Sequence, residues 1–337
     1  MRILIASYVF LPRLGGIEVI TDCLARGFRE AGHEVLVATA QPEETPEPLP
    51  YPVLRAPSAL ALWRAARRSD VVLQQGASLR LLLPLLLGRR PLALVHHTWL
   101  PEEGSGSLAG RLRRWALGRV RNFAVSRAIA GQLPLPAEDL ANCYRSASFR
   151  DDGRTSRRTD LCCVARMVSD KGVDLLIAAL TRLAEAGLRP SLLLVGDGPE
   201  RPALERQMAE AGLDGQARFA GKLAAPALAE ALNDSRILVV PSRYREPFGI
   251  IALEGAACGC FVVGADGGGL EEAIGPCGTT FARGSAAALA ETLGRLLCEG
   301  LPARDAAACA AHLARHQETA VVERYLKTLG ALAEKRP

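Results

Sequence analysis

The feature that most constrains the fold of this chain is a regular alternation of short apolar runs with longer amphipathic segments. The runs RILIASY, EVLVATA, DVVLQQG and PLALVHH carry little charge, and the segment IEVITDCLARGFREAG between the first two has one apolar face. Apolar runs separated by amphipathic helices are typical of parallel strands in a sheet that is covered on both faces. The sequence therefore predicts an α/β fold with doubly wound parallel sheets.

A polar stretch interrupts this alternation near the middle of the chain. Residues 149–159 read FRDDGRTSRRT, which is a linker pattern, and the alternation then starts again. A length of 337 residues fits two domains. We therefore expect one doubly wound domain over residues 1–150, a second over residues 151–316, and a terminal amphipathic helix over residues 317–337 that docks on either domain. Ligands of such folds bind at the carboxyl ends of strands, so a cleft between the domains is the expected site.

The charge of the chain is unevenly distributed. Residues 1–150 hold 19 Arg and no Lys against 12 acidic residues, whereas the remainder holds 22 basic and 24 acidic residues. The first half is thus the part expected to meet an anionic surface. Within it, residues 111–121 read as a helix with a basic and an apolar face, which fits either peripheral contact with anionic lipid or a solvated domain helix. Aromatic residues make up only 5% of the chain, which argues against nucleic-acid binding.

Cysteine usage and apolar runs indicate a cytoplasmic protein. The nine Cys include no CxxC motif, and the adjacent Cys162 and Cys163 fit a buried strand better than a zinc site. A reducing compartment is the simplest setting for such a chain. The start MRILIASYVF lacks the features of a signal peptide, and the apolar stretch over residues 79–87 is too short to span a bilayer.

Two glutamates bracket the most informative motif, REPFGIIALEG. Pro247 and Gly249 open an apolar helix, so Glu246 precedes that helix and Glu254 lies inside it, about two turns beyond Glu246. The free N–H groups of a helix start bind anions. An anion flanked by two carboxylates suits a nucleotide-sugar, which combines a diphosphate with two hydroxyl-rich rings. The alternative is one solvated glutamate and one on the helix surface.

Basic and glycine residues after other strands fit the same ligand. Arg166 ends one strand and Lys171 follows at a helix start. The planar guanidinium group of arginine and the compact ammonium group of lysine both suit a diphosphate. Gly15 and Gly16 follow the first strand and permit close approach of a phosphate, while the absence of GxGxxG counts against a dinucleotide oxidoreductase. Gly196, in the turn GDGPE, is a weaker candidate. Each of these positions also has a purely structural interpretation.

Two histidines end the strand PLALVHH. His97 at a strand's carboxyl end is able to donate to a sugar hydroxyl or to assist proton movement. We expect one of His96 and His97 to pack inward and the other to face the cleft, and a structural role is the alternative for both. No Ser–His–Asp or Cys–His system, no helical His pair and no DxD cluster outside the linker is present, so the sequence predicts no metal.

Taken in order, these segments resemble the family-four glycosyltransferases of the GT-B fold. The matching strings are GGIE, LVHHT, AVSRAIA, VARMVSDKG, VGDGPE and EPFGIIALEGAACG, and they extend from Met1 to about Tyr325. The part EPFG followed by LEG is the most specific. The resemblance implies two Rossmann-like domains facing a cleft, with residues 1–150 on the acceptor side and residues 151–316 binding the nucleotide-sugar. It also implies a retaining, nucleotide-sugar-dependent reaction.

The resemblance also implies roles for the matched positions. Glu254 would hold the donor ribose, Glu246 the hydroxyls of the donor sugar, and Arg166 with Lys171 would neutralise the diphosphate. The predicted catalytic residues are Glu246, Arg166, Lys171 and His97; the donor-binding residues are Gly15, Gly16, Gly196, Lys222, Leu223, Phe248, Gly249, Ile250 and Glu254; the acceptor-side residues are Glu18 and Ser126. The terminal helix of this family often crosses back to the N-terminal domain.

The expected activity is transfer of a sugar from a nucleoside-diphosphate sugar, with UDP favoured over GDP, to a hydroxyl acceptor. The acceptor is a glycan, a glycolipid or a small molecule, with cell-surface glycan or glycolipid synthesis favoured, and no cofactor is expected. The stretch LANCYRS replaces the family's Pro-Asn-Gly, and the loop near residue 45 matches nothing in the family. These departures leave the acceptor open. The alternatives are a nucleotide-sugar epimerase or hydrolase of the same fold, and a non-catalytic binding module.

Overall fold

Two successive parallel sheets organise the computed structural model of this chain. The structure describes residues 1–12, 15–45, 48–100 and 107–334. One unit consists of Met1–Cys143 and His316–Pro337, and the other of Tyr144–Arg315. The division between Cys143 and Tyr144 precedes the boundary expected at residue 150, so the polar linker segment belongs to the second unit.

The first unit contains a seven-stranded parallel sheet in the order β3-β2-β1-β4-β5-β6-β7. Its strands are β1 (Arg2–Ser7), β2 (Glu34–Thr39), β3 (Val53–Arg55), β4 (Val71–Gln75), β5 (Leu92–His96), β6 (Arg121–Ala124) and β7 (Glu138–Asp139), and its helices are α1 (Gly16–Glu30), α2 (Ala59–Arg68), α3 (Leu79–Leu87), α4 (Leu108–Leu117), α5 (Arg127–Ala130) and α13 (Glu318–Glu334). Ile3 on β1 lies opposite both Val35 on β2 and Val71 on β4, and residues 3–7 of this interior strand are buried.

The second unit contains a six-stranded parallel sheet in the order β10-β9-β8-β11-β12-β13. Its strands are β8 (Thr159–Val164), β9 (Leu192–Val195), β10 (Ala217–Gly221), β11 (Ser235–Val240), β12 (Phe261–Ala265) and β13 (Gly278–Phe281), and its helices are α6 (Val173–Glu185), α7 (Arg201–Glu210), α8 (Ala225–Asn233), α9 (Ile250–Ala257), α10 (Leu270–Ile274), α11 (Ala286–Cys298) and α12 (Ala306–Arg315). The strand order reverses between β8 and β11. In open α/β sheets, ligands bind in the crevice at the carboxyl edge of the sheet at such a switch point.

Helix α9 packs unusually close to β11. A Cβ atom on Gly255 would lie 2.3 Å from Cδ2 of Leu238, so a larger residue there would force either the buried Leu238 side chain or the helix to shift. Helix α9 begins at the carboxyl end of β11 and carries Glu254 in its second turn. The close packing thus fixes the position of that carboxylate relative to the crevice.

The terminal helix α13 packs against α1 within the first unit. A Cβ atom on Gly27 would lie 2.4 Å from Cγ2 of Val322, which shows how closely the two helices approach. Just before the helix, His316 Nδ1 donates to the Asn142 carbonyl over 2.9 Å. No helix in the described part of the chain has both the length and the apolar character needed to cross a membrane.

Tyr325 on α13 is fully buried, and its hydroxyl has no hydrogen-bond partner within the described residues. Because an unsatisfied buried hydroxyl costs about 1–3 kcal/mol, Tyr325→Phe is expected to raise the free energy of unfolding by about 1 kcal/mol in urea titrations. Tyr51→Phe is the matched control in the same unit, since the buried Tyr51 hydroxyl donates to Asp22. That control should be destabilised, and a destabilised Tyr325→Phe variant would contradict the prediction.

Candidate active site

The loops that follow β8, β11 and β12 are bound to one another at the carboxyl edge of the second sheet. The Tyr244 amide donates to the Asp170 carbonyl over 3.0 Å, which joins the loops after β11 and β8. The Gly269 amide donates to the Glu246 carbonyl over 2.8 Å, which joins the loops after β12 and β11. The walls of the crevice are therefore held by backbone hydrogen bonds.

Two glycines permit these close loop contacts. Gly172, at φ +65°, ends the short 3₁₀ turn that carries Lys171, and a Cβ atom there would lie 2.2 Å from the Pro241 carbonyl oxygen. Gly196, at φ +132°, would place a Cβ atom 1.8 Å from the Ala165 carbonyl oxygen. Both positions combine a left-handed backbone with contact to another backbone, which only glycine tolerates.

Lys171 and Glu246 form an ion pair across the crevice between the loops after β8 and β11. Lys171 Nζ lies 2.7 Å from Glu246 Oε1, and Ser242 Oγ donates to the same oxygen over 2.6 Å. The side chains of Lys171 and Glu246 are only 20% and 13% exposed. Two predicted catalytic residues are thus brought together, and Ser242, which the sequence reasoning missed, orients the carboxylate from four residues upstream.

Glu254 is buried in α9, at 6% exposure. Burial raises the pKa of its carboxyl group, and the neighbouring Arg145 guanidinium partly offsets that rise. Arg145 Nη2 lies 3.3 Å from Glu254 Oε1. Sequence reasoning missed Arg145, which is 109 residues away and stands where the expected Pro-Asn-Gly is absent. The pair therefore partly balances the charge of the buried carboxylate.

Further positive potential comes from Arg166 and from the start of α9. Arg166 is exposed just beyond β8, and its side chain forms no ion pair or hydrogen bond with another described residue. Gly249 precedes α9 at φ +104°, so the first N–H groups of the helix, at Ile250 and beyond, point out of its N-terminus. A cation and a helix N-terminus on the same sheet edge suit an anionic ligand.

The remaining donor-side positions lie on the same edge with different exposures. Lys222 is exposed and Leu223 half-buried after β10, whereas Phe248 is buried and Ile250 half-buried at the start of α9. Among the described residues, no group of three or more His, Cys, Asp and Glu side chains is placed to hold a metal ion.

In the first unit, the predicted glycine pair stands where β1 meets α1. Gly15 caps α1 with an extended backbone and Gly16 is its first residue. Glu18, only 8% exposed, folds back so that a Cβ atom on Gly15 would lie 2.6 Å from its Oε2 atom. Glycine at position 15 therefore leaves room for the Glu18 carboxylate at the helix start.

His96, the last residue of β5, and His97, which follows it, are both buried. His96 Nε2 donates to Asn122 Oδ1 over 3.0 Å, and His97 Nε2 donates to Gln75 Oε1. Burial, with a smaller contribution from His96, lowers the pKa of His97 to about 3. The neighbouring strands β4 and β6 supply these partners, so His97 is a neutral imidazole at physiological pH.

This burial predicts a pH dependence of stability. The unfolded state takes up a proton at His97 near pH 6.5 whereas the folded state resists it until about pH 3, so stability is lost as the pH falls through this window. One such proton lowers the free energy of unfolding by about 1.4 kcal/mol per pH unit. In urea titrations over this range, His97→Gln should show a shallower slope than wild type. Parallel profiles would contradict the assignment.

Two other predicted positions have structural surroundings that the sequence did not reveal. Ser126 is fully buried and caps α5, where its Oγ accepts from the Ile129 amide over 3.2 Å. The helix expected over residues 111–121 ends at Leu117, because Gly118 closes it and Arg121 already belongs to β6. The prediction of a helix is therefore wrong for residues 118–121.

Comparison with protein families identifies two matching models. One, described as "Glycosyl transferases group 1", matches residues 158–299, and the other, described as "Glycosyltransferase Family 4", matches residues 14–134. A curated relative is the phosphatidylinositol N-acetylglucosaminyltransferase gpi3 subunit of Schizosaccharomyces pombe, 27% identical over 54% of this chain and 40% of its own length. The chain thus spans less than half the length of this relative.

Solved structures resemble the whole chain in fold. A glycosyltransferase from Rickettsia africae covers 99% of both chains with a TM-score of 0.81 and 17% identity. Anabaena HepE in complex with UDP covers 98% of this chain and 100% of its own, with a TM-score of 0.80 and 19% identity, and it has also been solved with UDP-glucose. The predicted GT-B class, with two doubly wound parallel-sheet domains, is confirmed.

Proposed function

Because this chain belongs to the glycosyltransferases of group 1 and family 4, whose models together match more than half of its residues, we propose that it transfers a sugar from a nucleoside-diphosphate sugar to an acceptor hydroxyl. The observation that carries the proposal is the Lys171–Glu246 ion pair at the switch point of the second sheet. Glu254 is buried in the helix that starts beside it. A cation and two carboxylates on one sheet edge match a ligand that is both a diphosphate and a carbohydrate.

The proposal assigns each part of the donor to a group of the second unit. Glu254, partly neutralised by Arg145, accepts hydrogen bonds from the ribose hydroxyls. Arg166, Lys171 and the N-terminus of α9 face the diphosphate. Glu246 receives the hydroxyls of the transferred sugar. The choice of UDP over GDP is supported by the complexes of HepE, which shares the fold.

We assign the ion pair a specific part in donor binding. Without donor, Glu246 neutralises Lys171 over 2.7 Å, so neither charge stands unpaired in a site that is largely shielded from water. The donor brings an anion for Lys171 and hydroxyls for Glu246, and each group then has a new partner. The site therefore avoids leaving a shielded charge unpaired in either state.

The proposed reaction retains the configuration of the sugar. The bond between the anomeric carbon and the diphosphate oxygen breaks, and its electron pair stays on the phosphate. The acceptor oxygen then bonds to the anomeric carbon on the same face, and its proton passes to the leaving phosphate oxygen. Lys171, Arg166 and the helix N–H groups stabilise the charge that grows on the leaving group, and this preorganised stabilisation is the main catalytic contribution of the protein.

The proposed acceptor is a hydroxyl of a glycan or glycolipid destined for the cell surface, encountered at the cytoplasmic face of a membrane. All nine cysteines are free thiols, and seven of them are buried, which suits a reducing compartment. The contact between residues 111–121 and anionic lipid, expected from the sequence, is retained within this proposal.

A donor panel tests the proposed activity. UDP, GDP and their common sugars are added singly, binding is followed by thermal shift, and products formed with a membrane extract are identified by mass spectrometry. The expected result is transfer of the sugar to a component of the extract, with the anomeric configuration of the donor retained. A time course without acceptor separates the rivals, since rapid formation of epimer or free sugar would identify an epimerase or hydrolase, and binding without any product would identify a binding module.

Glu254→Gln tests the assignment of the ribose. The substitution keeps the shape of the side chain but removes the negative charge that strengthens its hydrogen bonds from the ribose hydroxyls, so the Kd for the nucleoside diphosphate should rise at least about tenfold. Calorimetry measures the Kd, and Glu291→Gln, an exposed change on α11 of the same unit, is the control. An unchanged Kd in a variant that melts like wild type would remove Glu254 from the donor site.

A further inference from the structure

Three helices cover one face of the first sheet and form what we call the three-helix layer: α2, α3 and α4. They contribute to one core, in which Leu62, Leu82 and Leu117 pack against the strands. Helix α3 contacts both α2 and α4, so the three lie side by side. Their outer surfaces therefore make up one continuous face of this unit.

The three-helix layer is basic throughout. None of its helices contains an Asp or Glu, although such residues are normally mixed with basic ones on a solvated surface. The arginines of the three helices are Arg64, Arg67, Arg68, Arg80, Arg111, Arg113 and Arg114. Arg80 and Arg111 are exposed and have no ion pair or hydrogen-bond partner among the described residues. The layer thus presents uncompensated positive charge.

Large apolar side chains are exposed on the same layer. Seven such side chains are exposed among the described residues, and five of them belong to these three helices: Leu60, Leu87, Leu108, Leu112 and Trp115. Leu108 is 80% and Leu87 is 70% exposed. On α4 the positions 108, 112 and 115 follow helical spacing and form one stripe. Exposed apolar side chains clustered in this way mark an interaction surface.

We infer that the three-helix layer docks on an anionic membrane surface. Leucines that are exposed in water enter the boundary between head groups and acyl chains, while the surrounding arginines meet anionic head groups. Tryptophan is favoured at that depth. The surface includes α2 and α3 and is therefore wider than the segment 111–121 expected from sequence.

The same observations disfavour nucleic acid and a second copy of the chain. Single-stranded nucleic acid needs open aromatic faces, but the Arg119 guanidinium covers Trp115 at 4.0 Å and Arg67 lies over Trp63 at 5.4 Å. Exposed leucines add nothing to a phosphate contact. A second copy would bring two acid-free basic layers together, and their like charges would repel.

Vesicle flotation tests the inference without reference to sugar transfer, so its outcome is separate from that of the proposed function. Vesicles of phosphatidylcholine alone are compared with vesicles that also contain phosphatidylglycerol, at low and high salt. The full chain should float with the anionic vesicles only, and less so at high salt. Arg80→Ser with Arg111→Ser should weaken this binding about thirtyfold.

Two further variants complete the test. Arg206→Ser with Arg218→Ser removes the same charge from exposed positions of the second unit and should leave vesicle binding near wild type. Leu108→Ser with Leu112→Ser should weaken binding about fivefold while the melting temperature is preserved, since both side chains are exposed. Failure to float with anionic vesicles, equal losses in the two arginine pairs, or tighter binding of a single-stranded oligonucleotide would overturn the inference.

Discussion

Replacement of Lys171 by alanine is expected to lower kcat for sugar transfer by more than about a hundredfold. The ammonium group stands where the leaving diphosphate gains charge, and loss of one preorganised contact of this kind typically costs about 3 kcal/mol of transition-state stabilisation. Lys171 is held for this role by Glu246 at 2.7 Å and by a 3₁₀ turn that ends at Gly172. The Arg166 side chain is exposed and has no ion-pair or hydrogen-bond partner among the described residues to position it, so its removal should cost less.

Comparison of kcat with donor affinity makes the test specific. If Lys171 acts mainly on the leaving group, kcat should fall further than the affinity for the intact donor, which calorimetry measures separately. Lys327→Ala on α13 removes an exposed lysine of the first unit and should leave kcat unchanged. A Lys171→Ala variant that transfers sugar at a near-normal rate would remove this residue from the mechanism.

The sheet architecture could be predicted from the sequence because each buried strand is an apolar run. The runs that begin at Arg2, Glu34 and Val71 all become central strands of the first sheet. The short edge strands β3 and β7 escaped detection, because they span only three and two residues and lack such a run. Their place in the sheet depends on pairing with a neighbour rather than on local hydrophobicity.

The positions of site residues along the chain were predictable, but their partners were not. Glu246 follows a strand and Glu254 lies in a helix, as the motif indicated. The pairs that define their electrostatics, however, join residues 75 and 109 positions apart. No local pattern encodes such contacts, since they arise only when the parallel strands align their carboxyl ends.

Burial explains why two predicted site residues, His97 and Ser126, make structural contacts within the fold. His97 and Ser126 have the residue type and the location of functional groups, at the ends of β5 and β6. Gln75 on β4 and the Ile129 amide engage them, and both side chains are buried. A strand end supplies polar side chains equally well to a ligand and to a neighbouring strand or helix, so sequence alone does not separate the two.

Substitution of Gly196 by alanine is expected to have the largest effect on the stability of the second unit. The new Cβ atom would lie 1.8 Å from the Ala165 carbonyl oxygen and 2.9 Å from its carbon, and neither backbone atom is free to turn away. The Ala165 amide is itself bound to the Val195 carbonyl, so relief of the clash must separate β8 from β9. Because this clash adds to the strain of an alanine at a left-handed φ, we expect Gly196→Ala to lower the free energy of unfolding by about 4 kcal/mol or more.

Gly187→Ala separates the two contributions to this loss. Gly187 has φ +83° but no atom within 4 Å of the added methyl group, so its substitution carries the backbone strain without the collision and should cost about 1 kcal/mol. Urea titration measures both variants, and the excess for Gly196→Ala is the cost of parting the two loops. Because Arg166 follows Ala165 directly, any folded Gly196→Ala protein should also bind nucleoside diphosphate more weakly. Equal losses in the free energy of unfolding for the two variants would show that the backbone at Ala165 moves away at little cost. The description of this crevice wall as rigid would then be wrong.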